Sequence, residues 1–243
     1  MYNMSYRNRG LHMRVFRSTN PVFRSIREDT YSSVEPVTYA NVTYKTMFLI
    51  LLVTISAFGI IQYGQVSLGM LFGAIIVGFI SVIIGTRSVR LSPIFSSIYA
   101  LSEGVVLGVV SSLYATVYEG IVPTALLTTF LVLLLMLVLY STKIIKVTER
   151  FASILVISLL ALIIMSVINI FIGFSSQFYY TIVVISAALS AFFLLLDFRN
   201  IEYAVESGLD QKYGWVLSLG LLVTIVWIYI EMLRLLAIFG RRN

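Results

Sequence analysis

The chain of 243 residues is 59% hydrophobic and only 12% charged, far outside the composition of a soluble domain, so it reads as an integral membrane protein. With no cysteine, disulfides, thiol catalysis and Cys-based metal sites are ruled out. The net charge of +6 would suit a nucleic-acid partner, but most Arg and Lys flank apolar runs. The excess therefore sets topology, and no nucleic acid is expected.

Residues 1 to 45 are polar and basic, with Arg7, Arg9, Arg14, Arg17, Arg24, Arg27 and Lys45 against Glu28, Asp29 and Glu35. No apolar h-region opens the chain, so no cleaved signal peptide is expected. The stretch is read as a flexible cytoplasmic tail attracted to an anionic leaflet. His12, the single histidine, is read there as a solvated residue.

Residues 46 to 243 are read as a transmembrane domain. Crossing a ~30 Å hydrocarbon core takes about 20 helical residues. Seven apolar runs of suitable length follow: Thr46 to Gln62, Val66 to Thr86, Pro93 to Tyr114, Ile121 to Ser141, Phe151 to Phe174, Phe178 to Asp197 and Tyr213 to Phe239. They lack the strict alternation of a membrane barrel, so the predicted fold is an all-α bundle of seven transmembrane helices. Ser92 before Pro93 reads as a cap and a helix start.

Arg87 and Arg90, then Lys143, Lys146 and Arg150, then Arg199 and Lys212 fall in alternate connections, on the same side as the tail. The intervening connections, around Tyr63 to Gln65, Ala115 to Gly120 and Gly173 to Gln177, carry none. The amino terminus is therefore expected in the cytoplasm. Seven crossings leave Arg241 and Arg242 outside, against the same rule. The last segment either crosses fully, the reading preferred here, or re-enters. The sequon Asn41-Val42-Thr43 faces the cytoplasm on this topology and is read as a chance match.

Ionisable residues within the apolar runs are few: Glu103, Asp197, Glu231 and Arg234. A carboxylate at membrane depth costs roughly 2.5 to 3.5 kcal/mol on insertion scales, so it usually faces the bundle interior and has a partner. Asp197 and Glu231 have their sequence midpoint at Gly214, and a reversal there would bring both to similar depth, within one or two turns of ~5.4 Å. Two carboxylates sharing a dry site cannot both ionise cheaply, so such a pair would hold a proton and act as a pH switch. Its oxygens also suit a hard cation such as calcium, though two carboxylates fall short of a closed six-to-eight-ligand site; a transient ion is expected at Asp197 and Glu231. The bland alternative is that each acid pairs with a basic residue or caps a helix.

Arg234, one turn after Glu231, either neutralises it or snorkels to the interface. Arg87 and Arg90 are candidate latches to Asp197 or plain topological charges. Glu103 precedes Gly104 and Gly108, a close-packing GxxxG face, and is expected to point inward with them. No span holds the imidazole or lysine base that an activated serine needs, and no phosphate-binding glycine loop or His-rich metal site occurs, so neither an enzyme nor a cofactor is expected.

Thr19-Asn20-Pro21-Val22, Ala100-Leu101-Ser102-Glu103-Gly104, Leu196-Asp197-Phe198-Arg199-Asn200-Ile201-Glu202 and Trp227-Ile228-Tyr229-Ile230-Glu231-Met232-Leu233-Arg234-Leu235-Leu236 together resemble the Bax inhibitor/YccA-type family, in particular a bacterial branch. The resemblance implies seven helices with the last one central, in a bacterial plasma membrane, and a pH-sensitive calcium leak gated by paired aspartates on the last two helices. Asp197 matches the first aspartate. Glu231 stands where the second would be, keeping the charge and adding one methylene of reach. The family also pairs an early-helix arginine with the first acid, for which Arg87 and Arg90 are the candidates.

The functional expectation is a pH-sensitive cation leak, calcium first, in which protonation joins the acids and closes the path and deprotonation opens it. A second reading is a regulatory protein that modulates a membrane protease or a stress or cell-death pathway through helix contacts with a membrane-protein partner. A third, a proton-coupled small-solute transporter, is weakened by the lack of a detectable inverted repeat. The expected partners are the lipid bilayer, calcium and protons.

Overall fold

A bilayer core gives the backbone no water to bond, so every span must satisfy its own N–H and C=O groups, and a helix does so within one segment. The computed structural model describes residues 35–64, 67–173 and 175–240. Among them are seven helices: α1 (Tyr39–Tyr63), α2 (Leu68–Arg87), α3 (Ser92–Ala115), α4 (Ile121–Ser141), α5 (Glu149–Ile172), α6 (Ser176–Glu206) and α7 (Tyr213–Gly240). All seven are long and apolar enough to cross a membrane. The basic residues before Glu35, with His12, lie outside the described residues, as do Arg241 and Arg242.

Two helices run well past their apolar cores. The first starts at Tyr39, ahead of the run at Thr46, because the Thr38 hydroxyl caps it by accepting from the Asn41 amide at 3.1 Å. The sixth does not stop at Asp197 but continues to Glu206, so Asp197 sits within a helix rather than at its end. On α3 the cap position falls to Leu91, with Pro93 in the first turn. Ser92 is instead buried inside the helix and pairs with the Ser96 hydroxyl at 3.4 Å.

The last helix is the hub. It packs against α1, α2, α3, α4 and α6, leaving only α5 beyond it. The buried core runs along it through Leu219, Leu222, Val226, Tyr229 and Leu233. Close backbone approach holds the α1–α3 wall: a Cβ added at Gly104 would meet Ser56 Cβ at 2.5 Å and the Val53 carbonyl at 2.6 Å. The Ser56 hydroxyl also donates to the Leu101 carbonyl at 2.8 Å. In lipid, where apolar burial gives helices little reason to associate, small residues and interhelical hydrogen bonds of this kind supply the attraction. At the other extreme, α5 packs only on α6.

The α6–α7 reversal sets the register of everything described next. Gly208 ends α6 with φ +63°, a left-handed conformation that glycine adopts without strain. The Asp210 carboxylate then accepts from the Lys212 amide at 2.8 Å, and Val37 N donates to the Leu209 carbonyl at 2.7 Å. Gly214 lies after this turn, inside α7, where Asn41 Oδ1 and Lys45 Nζ of α1 leave no room for a side chain.

Candidate functional site

Glu231 is 1% exposed. Its Oε1 accepts from the Ser186 hydroxyl of α6 at 2.7 Å, from Trp227 Nε1 at 3.2 Å and from Arg234 at 3.1 Å. Its Oε2 is buried with no hydrogen-bond partner among the described residues. Trp227 and Arg234 reach it because residues four before and three after share one helix face. Arg234 pairs with Glu231 at 3.1 Å, and 42% of its side chain is exposed. Its open side borders a cleft of about 240 Å³ lined by Tyr114, Tyr118, Tyr179 and Tyr180.

Asp197 is half-buried as a residue, but its Oδ2 is sealed off without a partner among the described residues. Thr224 of α7 lies beside it across the seam, its hydroxyl donating to the Gly220 carbonyl at 3.4 Å. Gly220, one turn before Thr224, makes room: a Cβ there would stand 3.9 Å from Asp197 Oδ1.

Both acids therefore occupy the α6–α7 seam, at different depths. Thr224, beside Asp197, and Glu231 are seven residues apart on α7, about 10 Å of helix. Ser186, beside Glu231, and Asp197 are eleven apart on α6, about 16 Å. Neither acid is a hydrogen-bond partner of the other. The reversal is not at Gly214: the chain turns near Leu209 and Asp210, which leaves the acids two to three helical turns apart along the seam. That turn sets Asp197 against Thr224 and Glu231 against Ser186. Between the two levels, the rings of Phe193 and Trp227 meet at 5.6 Å, and buried Ser190 bonds to the Ala187 carbonyl.

The remaining candidates are dispersed. Arg87 and Arg90 are exposed at the end of α2 and just beyond it, and no ion pair among the described residues joins either to Asp197. Arg199 pairs with Glu149 at the start of α5. Glu103 is half-buried and faces α2, where its Oε2 would be 3.8 Å from a Cβ at Gly78. It does not point with Gly104 and Gly108, which press on α1. Among the described residues no three His, Cys, Asp or Glu gather as a metal cluster. Each acid on the seam thus offers a passing hard cation one carboxylate, not a shared cage.

Ser186, Thr224 and Trp227 are not singled out by sequence. The i−4 spacing of Trp227 from Glu231 is a usable signal, whereas a lone Ser or Thr in an apolar run is not.

A family model described as Bax inhibitor 1 like matches residues 20–241, which takes in all seven helices. The chain belongs to the Bax inhibitor 1 like family. No curated protein matches it at a significant level. Of the four stretches that carry the resemblance, three lie on described helices: Ala100 to Gly104 on α3, Leu196 to Glu202 on α6 and Trp227 to Leu236 on α7. The fourth, Thr19 to Val22, lies outside the described residues. In this Bax inhibitor 1 like protein the last two acid-bearing motifs are thus the two sides of one helix seam.

Proposed function

We propose that this protein is a non-enzymatic, pH-sensitive cation leak of a bacterial plasma membrane, amino terminus in the cytoplasm, with calcium as the first candidate ion. The observation that carries the reading is that two buried carboxylates on the α6–α7 seam each keep one oxygen without a partner among the described residues. A buried unpaired polar atom is costly, which favours a role for it beyond packing. Asp197 lies nine residues before the cytoplasmic end of α6, and Glu231 nine before the far end of α7. Each stands about 14 Å along its helix from the last residue.

The acids act as two stations in series rather than as one shared pair. The Phe193–Trp227 ring contact lies between them as the closed barrier. A permeating cation exchanges part of its water for carboxylate oxygen at each station. Protonation removes that counter-charge, so flux rises as pH rises. The charged and titratable groups facing Glu231 are Arg234 on α7 and Tyr114 on α3; facing Asp197 is the neutral hydroxyl of Thr224.

The test is calcium flux into liposomes loaded with an indicator dye. Flux should rise with pH in the native protein and fall at least roughly tenfold in Asp197→Asn and in Glu231→Gln, since a buried ionic contact is worth a kcal/mol or more. Unchanged flux in both variants defeats the reading. A second reading, helix-mediated regulation of a membrane-protein partner, is favoured by the little-buried surface of α5. It predicts a co-purifying partner retained when both acids are neutralised.

A further inference from the structure

The helices α4 and α5 are consecutive and joined by a short connection, yet they do not pack on one another; each lies against α6. Aromatic pairs pin both to it, Tyr140 on Phe198 at 5.8 Å and Phe151 on Phe192 at 6.1 Å. Leu134, Leu135 and Val138 on α4 and Ile154 and Ile157 on α5 remain exposed. Beside the connection is a cleft of about 350 Å³ whose lining includes Lys143, Lys146, Arg199, Tyr140 and Glu202. Lys143 stands in a left-handed conformation, φ 54°, a strained choice for a lysine. Glu202 accepts from the Tyr140 hydroxyl, and Arg199 is held by Glu149. Lys143 and Lys146 are left with no ion-pair partner among the described residues.

We propose that this cleft binds one anionic glycerophospholipid, its phosphodiester seated between Lys143 and Lys146 and its acyl chains lying against the uncovered faces of α4 and α5. The charge argues for an anion, since basic pockets between spans at a membrane face are matched by acidic head groups. The cleft argues for a lipid over free phosphate, because an inorganic ion would leave the apolar walls uncovered. A zwitterionic lipid fits less well, since its head group would bring its own cation against the two lysines. The proposal is independent of the leak reading.

The experiment uses the full chain reconstituted in phosphatidylcholine nanodiscs with a minority of phosphatidylglycerol, and spin-labelled lipids to measure relative association. Phosphatidylglycerol should be preferred roughly thirtyfold over phosphatidylcholine, as expected for two lysines near the surface. The double substitution Lys143→Gln with Lys146→Gln should lower that ratio by roughly fivefold or more, leaving only the weaker attraction of the other basic residues. Arg87→Gln with Arg90→Gln, also exposed cations but outside the cleft, should lower it far less. In the native protein, which needs no substitution, photoactivatable phosphatidylglycerol should label peptides spanning residues 140–157. An unchanged preference in the lysine variant, an equal loss in the arginine variant, labelling elsewhere, or full displacement by inorganic phosphate at matched concentration each overturns the proposal.

Discussion

Glu231 shows how a buried acid is tolerated in a span. Three donors converge on Oε1 from Ser186, Trp227 and Arg234, and a hydrogen bond to a charged group is worth about 1.5–3 kcal/mol. Ser186→Ala should therefore lower stability by about 1–2 kcal/mol, since the other donors remain, read as a drop in apparent melting temperature in detergent. Arg234→Gln should cost about 2–3 kcal/mol, less than for a sealed pair because Arg234 is partly exposed. Adding Glu231→Gln to Arg234→Gln should restore part of that loss, because the uncompensated charge is gone. No recovery in the double variant would show that the ion pair is not what stabilises this end of α7. The acids and Arg234 were legible from sequence because charge inside an apolar run is rare. Their donors were not, because serine and threonine are ordinary in membrane helices, where they bond back to their own backbone, as Thr54 and Thr181 do.

At the scale of the element, glycines that look alike in sequence do different things. Gly104 touches α1 so closely that a methyl group must displace the Val53 carbonyl, whereas nothing lies within 4 Å of a Cβ at Gly73. Gly104→Ala should destabilise by about 1–3 kcal/mol through overpacking. Gly73→Ala should be neutral or stabilising by up to about 1 kcal/mol through helix propensity. Thermal denaturation of the two variants side by side checks the contrast, and equal losses would contradict it. The GxxxG face of α3 was readable from spacing, as was the existence of a turn between α6 and α7. The place of the turn was not: the midpoint of the two acids falls at Gly214, and only packing against Asn41 and Lys45 assigns Gly214 to α7. Moving the turn by four or five residues shifts the facing pairs by twice that, about two and a half helical turns, which is why the acids fall on different levels.

For the whole molecule, seven spans follow from hydropathy, and the central position of α7 from family likeness. Which helices touch is hidden, because a lipid-facing surface is as apolar as a helix–helix interface. Nothing in the composition of α5 marks it as the outlier that packs on α6 alone. The orientation can be checked cleanly, since the chain has no native cysteine. Ser88→Cys and Ser207→Cys should react with an impermeant thiol reagent only from the cytoplasmic side, and Thr116→Cys only from the other. Labelling of all three from one side would refute seven crossings with the amino terminus inside.

The central claim is that Asp197 and Glu231 are separate stations on one seam, and cysteine cross-linking tests it most directly. With a short thiol cross-linker, Asp197→Cys combined with Thr224→Cys should link within the chain, whereas Asp197→Cys combined with Glu231→Cys should not. Efficient linking of the second combination, with none in the first, would mean that the two acids meet, and the account of a path with two stations would be wrong.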